Sequence, residues 1–207
     1  MQYATIDRAY EVVTEVCKSK FICKLVPIES LEDGLAFVQK IKKEYSDARH
    51  NCYALIGTPE SNEMKYSDDG EPSGTAGQPM MTALQKNGLY GVACVVTRYF
   101  GGIKLGAGRL AQTYLKSVVD TINQAEIIDK KLSSVFSVEL SYGEYKLFNS
   151  TFSAIEHVVL DTEYGGNVKI TIASPVANDA KIIEKITELT QGKSPFKETQ
   201  KYITYKR

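Results

Sequence analysis

The residues best able to do chemistry lie in two short glycine-containing segments. In the first, Asp68, Asp69 and Glu71 fall within four positions around Gly70 and are followed by Pro72, Ser73, Gly74 and Thr75. Carboxylates at that density can hold a cation, and the small turn-forming residues behind them lead into a helix start whose backbone N–H groups can hold an anion or a partner. The order of acids is not that of a calcium loop, and the plainer alternative is a structural turn with solvated acids. The second segment runs from Thr97 to Arg109. Arg98, Lys104, Arg109 and the later Lys116 carry four positive charges, and no acid lies between Arg98 and Lys116. Gly106 and Gly108 open the helix that follows, so strand, glycine turn and helix start together form an anion site, and Tyr99 and Phe100 beside the basic residues suit stacking on unpaired bases. The pattern matches neither G-x-G-x-x-G nor G-x-x-x-x-G-K-[ST]. Its plainer alternative is glycine for tight packing, with both aromatics in the core.

Three weaker candidates complete the inventory. His50 and Cys52 stand two apart on a predicted strand and so point the same way, the minimum for a thiol activated by a base. No third orienting group or oxyanion donor is marked beside them, so no catalytic residue is assigned. His157 falls at a predicted helix end, where a cation complements the dipole, and reads as structural. From Lys193 to Arg207 there are five basic residues and one acid, interleaved with Phe196, Tyr202 and Tyr205. Either an ordinary edge strand or an RNA-facing sheet explains that alternation.

These residues need elements to position them. Tyr10 to Val16 and Phe21 to Val26 read as a hairpin around Lys18-Ser19-Lys20, and Ser30 with Asp33 caps a helix whose Leu31, Leu35, Val38, Ile41 and Tyr45 recur at helical spacing. Asn51 to Ile56 is a strand, and Val92 to Thr97 is one buried on both faces. Thr75 with Gln78 has the form of a capping box for a helix over residues 76–85, and a long apolar stripe carries another helix to Gln124. Asp129-Lys130-Lys131 is a polar break, which places one domain at residues 1–128 and another at 129–207. Beyond it the order is strand from Leu132, helix from Gly143 to Glu156, strand, Gly165-Gly166 turn, strand, a helix capped by Asn178, and strand. That βαββαβ order is ferredoxin-like, so the fold class is α+β.

Composition excludes broad classes. The 43% hydrophobic content is that of a globular chain with a core. Lys plus Arg equals Asp plus Glu at 25 each, so any electrostatic partner must be read from local patches. Met1 to Tyr10 lacks an apolar leader and no stretch reaches the roughly 18 apolar residues of a spanning helix, which leads us to expect a cytoplasmic protein without a membrane partner. The four cysteines show no C-x-x-C spacing and read as reduced thiols within strands. No cofactor or metal is expected.

Lys18-Ser19-Lys20-Phe21-Ile22, Ala48-Arg49-His50-Asn51-Cys52-Tyr53-Ala54, the Asp68 to Met80 segment and Val95 to Gly108 occur in register and together resemble the signature of the IMPACT family, in its bacterial YigZ-like branch. The rest resembles the C-terminal domain of that branch. One departure is Arg109-Leu110-Ala111, where many relatives have a further glycine. The resemblance implies that the first domain has the βαβ fold shared by a ribosomal protein and by domain IV of elongation factor G. It also implies a role in regulating translation without catalysis, and with Arg98, Lys104 and Arg109 meeting phosphates the leading expectation is a non-enzymatic factor that binds structured RNA or the ribosome. An enzyme or sensor for a small anionic ligand at the glycine-rich loops and a protein-interaction module in translation control are the alternatives.

Overall fold

The computed structural model describes residues 2–192 and 196–205. The chain divides into two bodies, Tyr3–Ile128 and a second that begins at Asp129, and the fold is α+β.

The first body is a five-stranded sheet in the order β2-β3-β6-β4-β5, formed by Tyr10–Val16, Ser19–Pro27, Val92–Tyr99, His50–Ile56 and Met64–Ser67. Every neighbouring pair is antiparallel. β6 lies at the centre because its apolar run is unbroken. Val92, Cys94 and Val96 face the larger core, whereas Ala93 and Val95 face the smaller one. Helix α1 (Leu31–Glu44) covers the smaller core with Val38 and Ile41. Helices α2 (Gly77–Lys86) and α3 (Ala107–Gln124) cover the other through Met80, Leu84, Tyr114 and Val118. A further strand, β1 (Gln2–Ile6), which no sequence pattern marks, lies beside Leu89 and sends Ile6 into the larger core.

The second body carries β7 (Ile127–Leu140) from Asp129 onward, α4 (Tyr142–Phe152), β8 (Val158–Tyr164), β9 (Val168–Pro175), α5 (Asp179–Thr190) and β10 (Phe196–Tyr205). Antiparallel pairing in the order β10-β7-β9-β8 gives the ferredoxin-like sheet. Phe136, Phe148, Phe152, Ile172 and Ile182 form its core.

Several local expectations change. The hairpin turn is Cys17-Lys18, both at positive φ (48° and 63°), so β3 begins at Ser19 and Cys17 sits in the turn rather than in a strand. Both central residues of such a two-residue turn need the left-handed region. β5 forms between β4 and α2, in a stretch to which the sequence assigns no strand. β7 runs through Asp129-Lys130-Lys131, because charged side chains leave the backbone groups free to pair in the ladder to β10. α4 ends at Phe152 and starts from a Ser141–Glu144 capping box. His157 therefore lies beyond the helix, where its Nδ1 is 2.7 Å from the Ile155 carbonyl and its ring packs edge-on against Phe148 and Phe152. Asn178 makes no side-chain cap; its amide reaches Ser174 Oγ instead. Of the basic C-terminal stretch, Lys193, Lys206 and Arg207 lie outside the described residues. Within it Phe196 packs on Phe136 and Tyr205 Oη meets Ser133 Oγ at 3.0 Å.

Candidate functional site

The acidic loop is held by its own acids. Asp68 leaves β5 and turns its carboxylate back on the chain: Oδ2 accepts the Gly74 N–H at 2.8 Å, and Oδ1 accepts those of Ala76 and Gly77 at 2.9 Å each. Asp68 thus caps α2, in place of the expected Thr75–Gln78 box. The Thr75 hydroxyl donates instead to the Pro72 carbonyl at 2.6 Å, and the N-terminal residue Ala76 has no side-chain cap of its own. Burial is the largest single influence on the Asp68 carboxyl and pushes its pKa up. The three N–H bonds outweigh it and leave the group below the ordinary aspartate value.

Asp69 takes the left-handed conformation at φ 45° and is followed by Gly70 at φ 87°. That turn carries the Asp69 carboxylate to the Asn51 N–H at 2.7 Å and the Lys42 ammonium at 2.5 Å. Its carbonyl stands 2.9 Å from His50 Nδ1. A carbonyl can only accept, so Nδ1 donates to it, and Nε2 faces the Glu71 carboxylate at 3.9 Å.

Glu71 points inward, with its side chain 3% exposed. Arg98 Nη1 donates to both of its oxygens at 2.7 and 3.0 Å, and the Tyr114 hydroxyl donates to Oε1 at 2.8 Å. The acidic loop and the basic turn are therefore one interlocked network rather than two opposed features. Arg98, expected to meet phosphates, is buried in this ion pair. Its guanidinium lies over the rings of Phe21 and Phe100, 5.3 and 5.6 Å from their centroids, and its Nε is buried without a partner among the described residues.

The paired thiol and imidazole do not form a nucleophile. Burial, then the nearby carboxylates, push the Cys52 thiol far above its usual range, against the opposing influence of its contact with Tyr114, and Sγ donates to the Asp68 carbonyl at 2.9 Å.

The glycine turn is shaped by contact. A Cβ on Gly101 would stand 2.0 Å from the carbonyl carbon of Lys18, so only glycine fits where the end of β6 crosses the hairpin turn, and its N–H bonds Ser19 Oγ at 3.1 Å. Gly102 and Gly106 take positive φ, and α3 then begins with no side-chain cap and no acid in its first turn.

Between these segments lies a cleft of about 430 Å³. Its polar wall is Arg49, His50, Glu71, Arg98 and Lys104, and Pro72, Phe100, Leu105 and Leu110 form its apolar wall beside the start of α3 at Gly106. A smaller hollow of about 230 Å³ is lined by Asp47, Arg49, Tyr99 and Phe100. Of the sequence candidates, His50, Glu71, Pro72, Arg98, Lys104 and Gly106 meet at the cleft. Asp68, Asp69, Gly70, Ser73, Gly74 and Thr75 frame the loop without lining it. Gly108 and Arg109 are exposed on the first turn of α3 outside its walls, and the Lys116 ammonium is bound to Asp120 at 2.6 Å. Sequence reasoning misses two residues: Arg49, adjacent in sequence to the chosen His50, and Tyr114, which the helical stripe assigns wholly to the core.

The first body matches the family model described as the Impact N-terminal domain over residues 17–122, and a domain of unknown function, DUF1949, matches residues 138–193. The chain is 37% identical over 203 residues to the IMPACT family member YvyE of Bacillus subtilis, covering 98% of this chain and 93% of that one. To the IMPACT family member YigZ of Escherichia coli it is 33% identical, covering 87% and 90%. A solved structure titled as a hypothetical protein superposes with a TM-score of 0.65 at 30% identity, covering 94% of this chain and 96% of that one. No helix among the described residues is long and apolar enough to cross a membrane. With matches at this identity along nearly its whole length, the chain belongs to the IMPACT family, among its bacterial YigZ-like members.

Proposed function

We propose that this chain is a non-enzymatic cytoplasmic regulator of translation that acts by binding structured RNA or the ribosome at the cleft face of its first body. Family membership supports a role connected with translation in general. The observation that carries the RNA reading is the charge of the cleft wall. Arg49, Arg98 and Lys104 meet a single acid, Glu71, so the wall is net +2 with His50 neutral, and Glu71 is already held by Arg98 and Tyr114. Arg49 and Lys104 are exposed at the rim, and the acid-free start of α3 adds unpaired N–H groups. Binding of ribosomes and of ribosomal RNA fragments tests the proposal, with Arg49, Lys104 and Arg109 replaced by alanine together. We expect the affinity to fall at least tenfold at moderate salt. An unchanged affinity overturns the phosphate-contact role, and ribosome association that survives nuclease digestion would favour a protein contact.

A second reading is favoured by one feature, the volume of the cleft, about 430 Å³, which is the size of a small-molecule site with the Arg49 and Lys104 cations at its rim. In that reading the cleft takes a small anionic ligand. A saturable thermal shift with nucleotides or phosphate that Lys104→Ala abolishes supports it, and a flat response across the panel removes it.

A further inference from the structure

Resting on the RNA reading, we infer that the cleft and the hollow beside it hold two consecutive unpaired nucleotides of single-stranded RNA, one on each side of Phe100. Phe100 and Arg49 are the two residues that line both spaces. Phe100 is 45% exposed, an uncommon position for a phenylalanine directly after a central strand whose residues are almost all buried. Its ring is nevertheless anchored. The Arg98 guanidinium lies 5.6 Å from the ring centroid, and Arg98 is itself pinned by two bonds to Glu71. An anchored ring standing between two hollows is a stacking post, and every base has a face to lay against it.

The charges follow the same path. Arg49 borders both spaces, where the phosphate joining two nucleotides must pass. Lys104 and the first turn of α3 border the larger one alone and suit the flanking phosphate. In the smaller hollow the Asp47 carboxylate accepts the Tyr99 hydroxyl at 2.8 Å and keeps its charge, which the Arg49 cation lining the same hollow balances. Arg98 is held in place to anchor the post: Nη1 makes both bonds to Glu71, and the guanidinium lies 5.3 and 5.6 Å from the ring centroids of Phe21 and Phe100. Paired duplex cannot use the post, because its bases are stacked on each other and present no free face to the ring. The site therefore selects loops, bulges and ends.

Fluorescence anisotropy with the full chain tests this, using a labelled ten-residue oligoadenylate, the same strand annealed to its complement, and ribosomes. We expect the single strand to bind at least tenfold more tightly than the duplex. Phe100→Ala and Phe100→Leu should each weaken the single strand roughly tenfold or more, and Phe100→Trp should restore it. The leucine variant keeps an apolar side chain without a ring, so equal loss in both variants identifies stacking. Circular dichroism melting checks that each variant is folded. Equal affinity for single strand and duplex overturns the inference, as does Phe100→Leu binding the single strand like the parent. If ribosomes still bind in either case, the inference alone fails. If the unaltered chain binds neither ribosomes nor any RNA, the RNA reading fails with it.

Discussion

At Asp68 one carboxylate holds three backbone donors, so its removal loosens the loop and the start of α2 together. Asp68→Ala is expected to destabilise the fold by about 1–2 kcal/mol in urea denaturation, the scale of a lost helix cap. Asp68→Asn should cost less, because its amide oxygen can still accept from Ala76 and Gly77. The pH dependence follows from the lowered pKa. A depressed carboxyl stabilises fully above its unfolded pKa and loses that contribution as pH falls through the folded value, so the loss lies below about pH 4. Denaturation in that acid range should show a shallower decline for Asp68→Ala than for the parent. At Glu71 the cost is larger. Glu71→Ala leaves the Arg98 guanidinium buried without its counter-charge and should destabilise by about 3–5 kcal/mol. In sequence, Glu71 and Arg98 stand out as charged residues close to glycines, and their place beside the cleft that both line is legible. Their roles are not. Glu71 and Arg98 stand 27 positions apart and meet only once β4, β5 and β6 pair. A charge whose counter-ion is remote in sequence looks solvated and available.

At the scale of elements, periodicity sees what local windows contain. The Ser30–Asp33 box, the stripe of α3 and the doubly buried β6 are each written within a few consecutive residues, and each forms as the pattern requires. The start of α2 escapes such a window because its cap, Asp68, lies eight and nine residues before the N–H groups it accepts. β5 escapes because its four residues are mostly exposed and so lack any alternation of burial. Glycines are similarly ambiguous in sequence and separate cleanly in space. At Gly101 an added Cβ meets backbone atoms of Lys18 and Ser19 within 2.4 Å, and backbone cannot swing aside. Gly101→Ala should therefore cost at least the 1–3 kcal/mol typical of overpacking and displace the Cys17-Lys18 turn, visible as chemical-shift changes in β2 and β3. Gly108 lies in the first turn of α3, where an added methyl would find nothing within 4 Å. Gly108→Ala should be neutral or stabilising by up to about 1 kcal/mol, read as a raised Tm. Reduced RNA affinity in that variant would place a phosphate against this stretch of backbone.

For the whole molecule, a net charge of zero means that no overall field gathers a polyanion, and whatever affinity exists comes from the arrangement of a few cations. Composition alone argues against nucleic acid for that reason, and the local pattern argues for it; the two differ because a sum over the whole chain carries no information on where its charges lie. Salt dependence measures the difference. If Arg49, Lys104 and Arg109 each meet one phosphate of a single strand, log K should fall with log salt at a slope near −2, about 0.7 for each contact. Replacing any one of them with alanine should reduce the slope by roughly that unit. Lys116 provides the control: it is equally exposed on α3, but its ammonium lies 2.6 Å from the Asp120 carboxylate, so Lys116→Ala should leave the slope unchanged. A slope that stays near −2 after all three substitutions would move the phosphate contacts off this face. A field spread over the whole surface would make the four substitutions equivalent, whereas contacts confined to the cleft face separate Lys116 from the other three.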